Sequence, residues 1–180
     1  MLSTGLIGLG YWGSKLLRVL SEMPSVRLVS AFDKYPDNRE RAKASFPHIK
    51  YCTTDSSLIE DPSIDWIVVA TSAASHFDLT ARALKAGKHV LVEKPLGLSL
   101  SESRQLLELS QQKKRRLLVD HTLLFSPYFE TFKSQFVFLS KSGAGLYSAR
   151  RNHFESTPKD HGVLVHLTYH DLYLLNDLVG

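Results

Sequence analysis

Short apolar runs alternate with amphipathic stretches through the first two-thirds of this 180-residue chain. The runs at Leu2–Gly8, Arg27–Phe32, Ile49–Cys52, Trp66–Ala70, His89–Val92 and Leu117–Asp120 are rich in Val, Ile and Leu and read as strands. Helical periodicity lies between them, near Trp12–Ser21, Asn38–Ser45, Ser75–Ala86 and Ser99–Gln111. Such alternation predicts a parallel sheet with helices on both faces. The continuous apolar character of WIVVA, HVLVE and LLVD agrees, because strands covered on both sides lose the in–out alternation. Gly87 stands where a helix should stop before HVLVE, and Ser99 and Glu102 have the spacing of a capping box.

The rhythm changes after Asp120. Pro127 is placed to open a helix running to about Leu139, and SGAG, Ser142–Gly145, is a flexible joint. Leu146–Phe154 reads as one strand, Glu155–His161 as loop, and an apolar helix is expected from about Gly162 to Val179. The predicted class over residues 1–121 is therefore α/β, a doubly wound parallel sheet, while residues 122–180 follow a different pattern of helix, one strand and helix.

Composition narrows this only slightly. Apolar residues at 43% and charged residues at 22% suit an ordinary globular protein, and the net charge of +4 is mostly dispersed. The basic run KKRR, Lys113–Arg116, falls where a helix should end and complements its dipole; no aromatic platform flanks it, so no nucleic-acid partner is expected. No run approaches the roughly 20 apolar residues of a membrane span, and the N-terminus lacks the basic region of a signal peptide. Cys52 is the only cysteine, which excludes an intrachain disulfide and fits a cytoplasmic setting.

The first candidate chemistry is GLGYWG, comprising Gly8, Leu9, Gly10, Tyr11, Trp12 and Gly13. It follows a predicted strand and opens a predicted helix, the setting in which G-x-G-x-x-G binds a dinucleotide. Gly8 permits the tight turn, Gly10 lets backbone approach a pyrophosphate, and Gly13 lets helix and strand pack closely. Asp33, twenty residues beyond Gly13, ends the second strand and can accept hydrogen bonds from ribose hydroxyls. It favours NAD over NADP, although Lys34 could pair with a 2′-phosphate. A structural glycine turn without nucleotide is the alternative. Two further strands end in polar residues on the same rim: Thr71 and Ser72, with His76 opening the next helix, and Glu93, Lys94 and Pro95. Ligands of open parallel sheets sit beyond these strand ends, so Lys94 can hydrogen-bond a substrate oxygen or relay its proton. A surface Glu–Lys pair is the bland alternative.

These residues resemble the glucose–fructose oxidoreductase/inositol dehydrogenase (Gfo/Idh/MocA) family. ATSAASHFDLTARALKAGKHVLVEKPLGLS looks like its corresponding stretch, with Glu93-Lys94-Pro95 as the signature triplet. DHTLLFSPYFETFK resembles the segment that leaves the nucleotide domain, and the last twenty residues resemble the helix carrying the family's catalytic histidine. The resemblance implies a nucleotide-binding domain followed by an α+β substrate domain. It implies NAD(P)-linked hydride transfer at a hydroxyl-bearing carbon of a sugar, inositol or sugar nucleotide. His121-Thr122 and His170-Asp171-Leu172 look closest to members acting on sugar nucleotides.

By the same resemblance His170 is the acid/base and Lys94 holds the reacting oxygen. The family typically has aspartate four residues before the histidine; here His166 stands there. Neutral histidine stabilises developing positive charge poorly, and adjacent imidazoles oppose each other's protonation, so chemistry that is weakened, altered or lost is one expectation. A dinucleotide-binding protein without turnover is thus the alternative function. H-x-x-x-H also suits zinc, but Leu167 replaces the metalloprotease glutamate and no cysteine lies nearby, so no metal is expected. Family members are generally longer, and the expected partners are a small-molecule substrate and, in a homo-oligomer, a second copy. The Leu146–Phe154 strand is expected to pair with another chain or to be poorly ordered.

Overall fold

The computed structural model of the chain describes residues 1–140 and 168–179, apart from the side chains of 137–140 and 179. It divides into two compact units, Met1–Asp120 and His121–Gly180. The expected Leu146–Phe154 strand, the SGAG joint and the first turns of the expected last helix, with His166, lie outside the described residues.

The first unit runs β1 (Leu2–Ile7), α1 (Tyr11–Glu22), β2 (Val26–Phe32), α2 (Pro36–Ser45), β3 (Lys50–Tyr51), α3 (Asp55–Ile59), β4 (Trp66–Val69), α4 (His76–Lys85), β5 (His89–Val92), α5 (Leu100–Lys113) and β6 (Leu117–Val119). The six strands pair in parallel in the order β3-β2-β1-β4-β5-β6. This is the doubly wound order that reverses beside β1 and opens a crevice there.

The apolar runs are continuous because each strand feeds two cores. Leu6 of β1, Ala31 of β2 and Val68 of β4 pack with Leu17 of α1 and Ala42 of α2. Ile7, Ile67, Val69, Val90 and Val92 point the other way, onto Leu58 of α3, Leu84 of α4 and Leu106 of α5. Side chains alternate faces along a strand, so both parities must be apolar when both faces are covered. The edge strand β6 departs from this expectation, with Leu118 exposed.

Local chemistry sets the helix ends. Ser99 Oγ accepts from the Glu102 N–H at 3.1 Å, completing half of the expected capping box. The Glu102 carboxylate instead accepts from the Leu98 N–H at 2.7 Å, one residue earlier. Gly87, at φ +78°, turns the chain after α4. The short α3, absent from the sequence expectations, begins where Thr54 Oγ1 accepts from the Ser57 N–H. At the KKRR run, Lys114 adopts the left-handed conformation that closes α5.

In the second unit, α6 (Pro127–Ser140) begins at the expected proline and α7 (Tyr169–Val179) carries His170. Among the described residues no helix is long and apolar enough to cross a membrane.

Candidate active site

Strand register aligns the polar residues of the rim. Ile7 is level with Phe32 and Val69, Val69 with Val92, and Val92 with Val119. The next residues are Gly8, Asp33, Ala70, Glu93 and Asp120. The N–H groups of Gly8, Ala70, Glu93 and Asp120 donate to Phe32, Ile7, Val69 and Val92 carbonyls at 2.8–2.9 Å, so the ladder extends to this row. It lies at the carboxyl ends of the strands, where such sheets bind ligands.

The glycine loop is built for a close backbone approach. Gly8 has φ +101°, and a Cβ there would come within 2.4 Å of the Ala70 carbonyl oxygen. A Cβ on Gly13 would come within 2.0 Å of the Gly8 carbonyl oxygen, so α1 meets the loop only through glycine. Gly10 is different: a Cβ there would project into open space, with no atom of the described residues within 4 Å beyond its chain neighbours and its own helix backbone. Packing does not require a glycine here, and the missing side chain leaves the backbone accessible. Gly10 is also the N-cap of α1 and caps it with no side chain, while the first turn holds no acidic residue. The helix thus presents N–H donors and the positive end of its dipole.

Asp33 is buried and carries a task the sequence does not display. Its Oδ2 accepts from the Leu9 N–H at 2.7 Å and its Oδ1 from the Tyr35 N–H at 2.8 Å. The carboxylate therefore ties the glycine loop to the end of β2, and each oxygen retains a second lone pair for a ligand hydroxyl. Arg39 adds a hydrogen bond to the Asp33 carbonyl. Lys34 is exposed and its ammonium lies 4.9 Å from the Tyr35 ring centroid. Tyr11 and Trp12 are exposed on α1, edge-to-face at 5.6 Å, with the Lys15 ammonium over both rings.

Beyond β4, Ser75 Oγ donates to Thr71 Oγ1 at 2.8 Å or to the Ser72 carbonyl at 2.9 Å. His76 is 1% exposed. Its Nδ1 lies 2.7 Å from the Pro95 carbonyl oxygen and its Nε2 lies 3.1 Å from that of Thr71. It therefore clasps the loop after β4 to the loop after β5, and can affect a ligand only through those loops. The Lys94–Pro95 peptide is cis.

Glu93 and Lys94 have opposite responses to partial burial. Burial, reinforced by the neighbouring Asp120 carboxyl, pushes Glu93 up to about 7. Burial also lowers the Lys94 ammonium from its ordinary range, with the Glu93 charge pulling the other way. Asp120 is the residue that sequence reasoning passed over. It ends β6 as Glu93 ends β5, and equal strand ends were the available signal.

In the second unit, His121 stacks on Tyr173 at 4.3 Å and 14°, and its Nε2 lies 3.0 Å from the Tyr169 hydroxyl. His170 Nδ1 lies 2.8 Å from the Tyr173 hydroxyl. His121, Tyr169, Tyr173, Leu124 and Leu172 help line a cavity of about 360 Å³. Neither tyrosine was singled out from sequence, although Tyr173 sits one helical turn beyond His170.

Residues 2–121 match the Gfo/Idh/MocA family model, described as an oxidoreductase family with an NAD-binding Rossmann fold. The chain belongs to the Gfo/Idh/MocA family. It is 34% identical over 155 residues to the uncharacterized oxidoreductase YdgJ of Escherichia coli K12, covering 84% of this chain and 42% of that protein. It is 34% identical over 104 residues to the scyllo-inositol 2-dehydrogenase (NAD(+)) of Bacillus subtilis 168, covering 58% of this chain and 30% of the enzyme. Among solved structures, GenD2 from gentamicin A biosynthesis, in complex with NAD, superposes with a TM-score of 0.84 at 26% identity. That match covers 99% of this chain and 54% of GenD2. The chain thus spans less than half of these curated relatives and about half of GenD2.

The Gfo/Idh/MocA chain is an NAD-binding oxidoreductase-family protein, and its loop fits that dinucleotide. Gly8, Gly10 and Gly13 with the α1 amides would hold the pyrophosphate, and the Asp33 carboxylate would meet the adenosine ribose.

Proposed function

We propose that this chain supplies the NAD site and acid/base helix of an oxidoreductase acting on a hydroxyl-bearing carbon of a sugar or sugar nucleotide. The observation that carries the reading is Lys94: a partly buried ammonium, lowered by desolvation, one residue beyond Glu93 of the strand-end row that also holds Gly8 of the glycine loop. The bound cofactor would supply a hydride acceptor. Lys94 would hydrogen-bond the reacting oxygen and stabilise negative charge developing on it. Glu93, with its neighbour Asp120, would set the charge beside that ammonium. His170 would take the proton that the substrate hydroxyl releases. Thr71, Ser72 and Pro95 would line the cofactor side of the crevice. The inositol dehydrogenase among the relatives supports a polyol or sugar substrate.

The test is NADH formation by the full chain with inositols, hexoses and nucleotide sugars, in wild type, Lys94→Met and His170→Asn. Turnover of one substrate class, lost in both variants, is the expected result. Turnover that survives Lys94→Met would refute the assignment. The second reading, NAD binding without turnover, is favoured by His166 in the place where the family resemblance puts aspartate. Calorimetric NAD binding with no hydride transfer to any of these substrates would select it. Restoring turnover with His166→Asp would locate its cause.

A further inference from the structure

We propose that Tyr173 is the positioning residue of His170: its hydroxyl accepts the Nδ1–H, fixes the tautomer and so makes Nε2 the basic nitrogen of the ring. This rests on the reading of His170 as acid/base. The two residues stand three apart on α7, on one helical face, with His170 Nδ1 and Tyr173 Oη at 2.8 Å. The tyrosine is itself held. It is 9% exposed, its ring stacks on His121 at 4.3 Å and 14°, and its oxygen also receives the Leu123 N–H at 3.4 Å. A phenol held on three sides makes a better guide for an imidazole than a mobile surface group.

The chemistry follows from proton counting. A neutral imidazole can take a proton on Nε2 only if its own proton sits on Nδ1. The Tyr173 hydroxyl accepts as well as donates, so its oxygen can take the His170 Nδ1–H. When the substrate proton arrives on Nε2, Nδ1 keeps its proton and the same bond becomes charge-assisted. The hydroxyl need not rotate between the two states. A neutral oxygen supports the imidazolium less than a carboxylate would, but it does so without burying a second charge.

The deciding measurement is the tautomer of His170 in the full chain. Long-range proton–nitrogen NMR on imidazole-labelled protein reads it directly, with the signal assigned by His170→Asn. Above the imidazole titration, wild type should show the proton on Nδ1. Tyr173→Phe, which keeps the ring on His121, should move it largely to Nε2, the form free histidine favours. Where turnover is measurable, the same variant should lower kcat roughly ten- to a hundredfold, as for loss of one hydrogen bond to a charged group, with NAD affinity unchanged. A wild-type Nε2–H tautomer, or one indifferent to Tyr173→Phe, would overturn the proposal. Turnover that survives His170→Asn would instead sink the acid/base reading while leaving the tautomer result standing.

Discussion

Replacing Gly10 with alanine separates binding from folding. The added methyl would point into open space, and the backbone there, at φ −70° and ψ −155°, lies in the extended region open to L residues. Alanine is a poorer N-cap than glycine, so a stability loss of about 0.5–1 kcal/mol is expected. The methyl would, however, stand where a pyrophosphate must approach the α1 amides. Losing one backbone N–H bond to a charged oxygen costs about 1.5–3 kcal/mol, or roughly a ten- to hundredfold rise in the Kd for NAD. Gly13→Ala is the counterpart. Its Cβ would fall 2.0 Å from a backbone carbonyl that no side-chain rotation can clear. Overpacking of that kind costs about 1–3 kcal/mol or more, against at most about 1 kcal/mol gained in helix propensity. Urea unfolding and NAD calorimetry on both variants give the two axes. Gly10→Ala should lose affinity with a near-wild-type midpoint, while Gly13→Ala should lose stability first. Wild-type affinity in a folded Gly10→Ala protein would refute the reasoning, because the open space beside Gly10 would then have no bearing on the dinucleotide.

Three other perturbations test the strand ends and the loops that follow them. Glu93 holds its proton in the folded state up to about 7, above the ordinary 4.5, so stability should fall as pH rises through that window and stay lower above it. Solvent screening of the partly exposed carboxyl limits the effect to about 1–2 kcal/mol; Glu93→Gln should flatten the slope in urea unfolding between pH 5 and 8, and a wild-type midpoint flat over that range would contradict a Glu93 raised by burial and by Asp120. Asp33→Asn leaves one carbonyl oxygen for the two N–H donors of Leu9 and Tyr35, so it should cost about 1–2 kcal/mol and weaken NAD binding together; unchanged affinity by calorimetry would confine Asp33 to a structural tie. His76→Ala removes a buried ring and both its carbonyl contacts, and a loss of about 2–4 kcal/mol is expected in thermal unfolding; a loss below about 0.5 kcal/mol, the range of surface substitutions, would show that the clasp is idle.

The sequence by itself determined whatever depends on local spacing. Alternating apolar runs and helical periods specify the parallel sheet, because backbone geometry repeats every two or every 3.6 residues wherever the chain goes. The glycines of GLGYWG and the strand-end Asp33, Glu93 and Lys94 are legible for the same reason: a turn that needs φ > 0 or a close approach admits only glycine, and a strand must end in the crevice. Even Gly87 and the Ser99 cap could be read from residues three or four positions away. Only the tertiary structure decided which distant groups share a bond. Asp33 reaches back 24 residues to Leu9, and His76 reaches 19 residues on to Pro95. Glu93 meets Asp120 because β5 and β6 pair in one register out of several. For Tyr173 and His170 the helical period supplies the neighbourhood, and only the stack on His121 and the packing around it decide that hydroxyl and imidazole face each other. Strand register and side-chain direction are collective outcomes of packing, and no local period encodes them.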